Sequence, residues 1–175
     1  STRRRRAVTL ALALLIACTG TSVAWAQFRG MRVEPNAPYD GRFTFVRLRY
    51  SGAGRGGWAF DYPAMERNFM TVLNDLTTIR PHVRESNIHD MDDPALFRHA
   101  VAYLSEPGYW DPSDAEVKGL RTWLLKGGFL IVDDFFGRQW ENFARVMADV
   151  LPEGRIVPLD ITNPVFHSFF ELKTL

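Results

Sequence analysis

Asp133 and Asp134 stand side by side at the end of the run Gly127-Gly128-Phe129-Leu130-Ile131-Val132. Adjacent carboxylates can bind a metal ion or ligand hydroxyls, or exchange a proton as general acid or base. They can equally cap a turn by accepting backbone N–H bonds. If they close a strand, alternation sends them to opposite faces, and only one enters a given pocket. Asp61, set between Trp58 and Tyr62, is a second ligand-binding candidate. Its plain reading is a helix N-cap. Tyr109 and Trp110 are a third. Such rings stack on a sugar or a partner, or lie half-buried over loop edges.

Other chemistries lack their residues. Cys18 is the only cysteine. Beyond the leader described below there is no thiol nucleophile, no disulfide and no thiolate metal site. No Gly-x-Ser-x-Gly elbow is present. Ser168 follows His167 directly, but neighbours on a helix diverge and do not form a nucleophile–base pair. His82, His89, His99 and His167 have no partners at metal-ligand spacing, so they read as surface or packing residues. Gly52-Ala53-Gly54-Arg55-Gly56-Gly57 matches Gly-x-Gly-x-x-Gly, yet residues 58–62 separate it from the next helix and no Lys-Ser/Thr follows. A flexible loop is the expectation, with neither cofactor nor metal.

These candidates need a scaffold. The apolar run before Asp133, flanked by helical patterns, reads as the central strand of a parallel sheet. In such sheets ligands bind beyond the carboxyl ends of the strands. Residues 42–50 alternate: Phe43, Phe45 and Arg47 face one way, Thr44, Val46 and Leu48 the other, as in a strand. Asp61 and Pro63 open a helix with the stripe Met65, Phe69, Leu73, Leu76. Further strands are expected at 79–83, 100–104 and 156–159. Asp93-Pro94 and Asn163-Pro164 open short helices. Ser113-Asp114-Ala115-Glu116 is a capping box, and its helix stops at Gly127. Trp140, Phe143, Val146, Met147 and Val150 mark the next helix. Strands alternating with helices predict an α/β, doubly wound, mostly parallel sheet.

The chain opens with an address. Arg3 to Arg6 form a basic region, 7–17 an apolar one, and Ala24-Trp25-Ala26 a small-x-small cleavage site before Gln27. The expected organisation is a signal peptide at 1–26, an extended lead-in at 27–41 and one domain at 42–175. Leu15-Ile16-Ala17-Cys18 offers a competing site at which Cys18 is lipidated, tethering the domain to a membrane. Export to a bacterial periplasm is the expectation, with membrane attachment only through the leader or lipid. Without the leader's four arginines, 17 basic side chains face 20 acidic ones, a net charge of −3. That balance gives no reason to expect nucleic acid.

From residue 43 onward the chain resembles the DUF4159 family of bacterial proteins. The likeness is carried by residues 43–50 (FTFVRLRY), by Trp58-Ala59-Phe60-Asp61-Tyr62-Pro63, and most specifically by 124–135 (LLKGGFLIVDDF). The resemblance implies a class I glutamine amidotransferase-like, flavodoxin-like fold with no assigned activity. It implies relatives that continue past the position of Leu175. It also implies envelope partners encoded near MoxR-type ATPases and von Willebrand A-type proteins. Asn163-Pro164 departs from the His-Pro expected of the family. Without the cysteine, amidotransferase chemistry is not shared. The function expected is a non-catalytic ligand- or partner-binding module of the cell envelope. Two alternatives stand beside it: a carboxylate-dependent hydrolase or lyase acting on a carbohydrate, and a structural subunit of an envelope complex.

Overall fold

The computed structural model describes residues 33–51 and 57–174. The chain divides after Pro35, and the fold is that of the part beginning at Asn36. Four strands, β1 (Phe45–Arg49), β2 (Ser86–Asp90), β3 (Val101–Ser105) and β4 (Phe129–Asp133), form one sheet. Their order is β2-β1-β3-β4 and every pairing is parallel. Three helices flank it: α1 (Ala64–Leu76), α2 (Asp114–Leu125) and α3 (Gln139–Val150). The chain steps outward from β1 to β2, then returns to build β3 and β4 on the other side. This is the expected α/β, flavodoxin-like arrangement. The reversal of direction creates a switch point between the carboxyl ends of β1 and β3.

Both faces of β1, β2 and β3 are buried, as parallel strands require, while β4 is only half-buried along its middle and exposed at both ends. On one face α1 packs Met65, Met70 and Leu73 against Phe45, Tyr103 and Ile131. On the other, Val46, Leu48, Ala102 and Leu104 are fully shielded. Each of these valine and leucine side chains contributes about 1.5–3 kcal/mol on burial. Of the stripe expected on α1, Met65 and Leu73 pack inward and Phe69 touches Phe45 at its edge, Leu76 is exposed, and the fully buried positions are Glu66 and Met70. Glu66 turns inward to meet Arg47 of β1. On α2, Gly119 packs backbone to backbone against the residues after β2. A Cβ there would stand 2.3 Å from the carbonyl oxygen of Met91.

Local signals held where a side chain meets a specific backbone group. The capping box is complete: the Glu116 N–H donates to Ser113 Oγ at 3.3 Å and the Ser113 N–H to Glu116 Oε2 at 2.8 Å. Gly127 takes the left-handed conformation (φ 98°) that ends α2. Asp93 caps a 3-10 turn at Pro94–Arg98, and Asn163 caps one at Pro164–His167. At the β2 edge the Asn36 side-chain amide donates to the Ile88 carbonyl at 3.0 Å and accepts from its N–H at 2.8 Å.

Three strand expectations are corrected. The strand placed at 79–83 lies instead at Ser86–Asp90. Pro81 has no N–H to offer a ladder, and the neighbouring His82 N–H donates singly to the Phe43 carbonyl at 2.9 Å. The run ending at Asp133 is not central: β4 pairs only with β3, and β3 occupies the interior. Phe129 is exposed and Leu130, Ile131 and Val132 are half-buried, so an apolar run fixes neither burial on both faces nor position in the strand order. Residues 156–159 form no strand, and Ile156, Val157 and Leu159 are exposed. Their β-branched character cannot act without an adjacent ladder.

Candidate functional site

The connection from β1 to α1 is organised from below by a buried charge. Alternation along β1 places Arg47 on the face covered by α1, where it is fully buried and ion-paired with Glu66. Its Nη1 donates to the carbonyls of Trp58 at 2.8 Å and Phe60 at 3.1 Å. Its guanidinium lies 5.0 Å above the centre of the Tyr103 ring. The two buried charges need each other, because either one alone would be stranded without solvent. Together they fix the segment that presents Asp61.

Asp61 is not an N-cap. It has left-handed backbone (φ 58°), and its carbonyl, not its carboxylate, accepts the N–H groups of Ala64 and Met65 at 2.8 and 3.1 Å. Pro63 holds the cap position and has no acceptor side chain. The Asp61 carboxylate is thereby left exposed.

β3 ends at Ser105, and Glu106 makes the turn out of the sheet with φ 46° and ψ 60°. A 3-10 turn, Pro107–Tyr109, follows. Two clamps hold this elbow. The Tyr50 hydroxyl lies within hydrogen-bond distance of the carbonyls of Ser105 (3.1 Å) and Glu106 (2.7 Å). The Asn142 amide on α3 donates to the carbonyls of Pro107 and Trp110, both at 2.7 Å. Gly57 lets the β1 loop close on the elbow. A Cβ there would stand 2.7 Å from the Tyr50 hydroxyl and 2.8 Å from Glu106 Oε2.

On β4, Asp133 closes the strand and Asp134 leaves it on left-handed backbone (φ 64°). Strand alternation therefore does not extend to Asp134. Burial chiefly pushes the Tyr103 proton affinity up, and the charges of Asp133 and Asp134 add to the rise. The alternation on which the opposite-faces expectation rested stops at Asp133, because Asp134 has left the strand. Both are exposed. Among the described residues no backbone N–H donates to either, so neither caps the turn.

Asp61, Glu106 and Asp134 are also the non-glycine positions with left-handed backbone among the described residues. That conformation costs an ordinary residue about 1–3 kcal/mol and persists where the surroundings enforce it. Two of them act on the third. Glu106 holds its proton more tightly than an ordinary glutamate, first through partial burial, then through the charges of Asp134 and Asp61. Tyr50 is likewise pushed up, by burial first and the Glu106 charge second. Like charges are thus gathered at the switch point, and the nearby Arg47 guanidinium, which opposes the rise at Tyr50 and Tyr103, is ion-paired to Glu66 and not to any of them.

The aromatic candidates divide. Trp110 is fully buried, its ring stacked on Phe143 at 6.4 Å, so it cannot stack on a ligand. Trp58 is buried and contributes its carbonyl to Arg47. Tyr109 is exposed. Sequence reasoning missed Glu106 and Phe136. The signal for Glu106 was a carboxylate directly after an apolar strand and ahead of Pro107-Gly108. His167 and Ser168 do not pair: His167 meets Ile161 and Glu171, while the Ser168 hydroxyl donates to the Val165 carbonyl. Of the histidines read as surface or packing groups, His82 and His89 are buried and bonded to acids. Among the described residues no group of three or more His, Cys, Asp or Glu is arranged to hold a metal ion. Nor is any helix there long and apolar enough to cross a membrane. The leader, Cys18 and residues 52–56 of the glycine loop lie outside the described residues.

Residues 44–175 match the family model described as Domain of unknown function (DUF4159). No curated protein matches the chain.

Proposed function

With that match covering most of its length, the chain belongs to the DUF4159 family, and we propose that it is an exported, non-catalytic binding module of the cell envelope. Its site is the acidic crevice between the carboxyl ends of β1, β3 and β4. One observation carries this reading: Asp61, Glu106 and Asp134 converge at the switch point on backbone held left-handed. The elbow after β3 has the sharp strand-to-helix geometry in which hydrolases present a nucleophile. Here that place holds Glu106, followed by Pro107, and neither thiol nor hydroxyl stands there. Export rests on the basic and apolar leader with its Ala24-Trp25-Ala26 site, and lipidation at Cys18 is the alternative anchor.

The test is a thermal-shift screen of metals, sugars and envelope partners on the parent and on Asp134→Asn. A ligand should raise the melting temperature of the parent and lose that effect in the variant, with the unliganded melts nearly equal. A ligand shift that survives Asp134→Asn and Glu106→Gln sinks the crevice as the site. One observation favours a second reading. The raised proton affinity of Glu106 suits a general acid. Turnover of a chromogenic glycoside, abolished by Glu106→Gln, would replace the binding module with a hydrolase.

A further inference from the structure

The carboxyl end of the sheet carries a second feature that the acidic crevice does not use. Phe60 precedes Asp61, Tyr109 lies on the elbow, and Phe135, Phe136 and Trp140 belong to the segment leaving β4. All five are exposed, Phe136 by 82%. Phe135, Trp140 and Phe143 pack on one another at ring separations of 5.3–5.6 Å, Phe135 edge to face on Phe143 and the other two pairs tilted. This pins them as a fixed platform. Gly108 touches the Gln139 side chain so closely that a Cβ would overlap it, so the elbow and the start of α3 form one continuous surface. Exposed aromatic rings clustered in this way are the composition of interface anchors.

The charge beside the platform selects the partner. Asp61, Glu106, Asp133 and Asp134 make no ion pair among the described residues. Arg138, the nearest cation in sequence, is already engaged by Glu141 at 2.7 Å. Glu106 holds its proton tightly partly because its neighbours repel its charge. A neutral sugar would leave that repulsion in place. A cation relieves it, and aromatic faces attract the same cation through their quadrupoles. Arginine answers both features at once, with a planar fork for carboxylates and a flat face for rings. Neighbouring strands lie about 4.8 Å apart, so loops after β1, β3 and β4 span the reach of a few extended residues.

We propose that this surface docks a basic, arginine-bearing peptide segment of another protein. The inference rests on the reading of the crevice as a binding site and names its partner class.

The experiment records amide shifts of the isotope-labelled chain with hexa-arginine, hexalysine, hexaglutamate and a neutral hexasaccharide at low and physiological salt. Hexa-arginine should move the amides of residues 60–61, 106–109 and 133–140, and hexalysine should bind more weakly. Phe136→Ala should weaken hexa-arginine about tenfold, the worth of one desolvated cation–π contact. That variant alters no charge, and its side chain is too exposed for the fold to depend on it. Unchanged affinity in Phe136→Ala reduces the effect to diffuse electrostatics and overturns the proposal. Shifts of the same amides by the neutral hexasaccharide and not by hexa-arginine keep the site and overturn the partner class. Silence of these amides toward every probe removes the site and the proposal together.

Discussion

Asp61 and Asp93 carry the same signal, an aspartate just ahead of a proline that opens a helical turn. The two regions use it in opposite ways. Asp93 keeps extended backbone, and its carboxylate accepts the Ala95 N–H at 2.8 Å and meets His89 at 2.7 Å. Every polar atom of that carboxylate serves the fold. Asp61 turns left-handed, gives only its carbonyl to the helix and leaves its carboxylate exposed, where its charge acts on Glu106. Between β2 and β3 side-chain acid is used to complete backbone hydrogen bonding. Between β1 and α1 the backbone completes itself and the acid stays available. The difference separates a structural aspartate from a site aspartate more sharply than residue type or exposure does.

The strongest test of this contrast strikes what holds the β1–α1 connection in place. Glu66→Ala leaves Arg47 buried without its partner and should cost about 3–5 kcal/mol in urea unfolding. The double change Arg47→Met, Glu66→Leu should recover most of that stability. A loss below about 1 kcal/mol for the single change would mean the ion pair does not organise this region.

A smaller effect separates the two aspartates directly. Asp93→Ala should cost about 0.5–2 kcal/mol, the loss of a capping acceptor. Asp61→Gly, which suits the left-handed backbone, should leave stability within about 0.5 kcal/mol or raise it. Equal losses at the two positions would collapse the comparison.

The smallest effect is in pH. The folded chain holds the Glu106 proton more tightly than the unfolded chain does. As pH rises through the ordinary glutamate range and on through the raised range of Glu106, the native state is therefore progressively destabilised. Glu106→Gln should match the parent below that window and be the more stable protein above it. Melts across acid to neutral pH decide the point. Asp40 has the opposite sign. His82 first and Arg42 second hold its carboxyl well below the usual range. Its contribution is present above that range and fades as pH falls.

What could be read beforehand follows from the same physics. Capping at Ser113, Asp93 and Asn163 was legible because it depends on groups two or three residues apart. The parallel sheet was legible from alternating apolar runs. The placement of β4 at an edge was not, since strand order depends on contacts distant in sequence. Asp133, Asp134 and Asp61 could be nominated from their place after strands, yet Trp110 misled because a ring in a loop gives no sign of whether α3 covers it. Glu106 escaped notice because its importance lies in φ and in two acids from other loops. The inward face of Arg47 was visible in the alternation of β1, but its partner Glu66 sits on the helix where a solvent-facing charge is the ordinary reading.

The Asn36 clasp on Ile88 has a consequence for how copies of this protein can meet. An edge strand is a template on which another chain can polymerise. By engaging both the N–H and the carbonyl of Ile88, Asn36 imitates one rung of a neighbouring strand and takes the template away at β2. The Ala37 N–H, bonded to Asn87 Oδ1 at 2.7 Å, fastens this false rung. Among the described strands the two edges therefore differ: β2 is blocked at its middle rung, while no comparable side-chain clasp engages the backbone of β4.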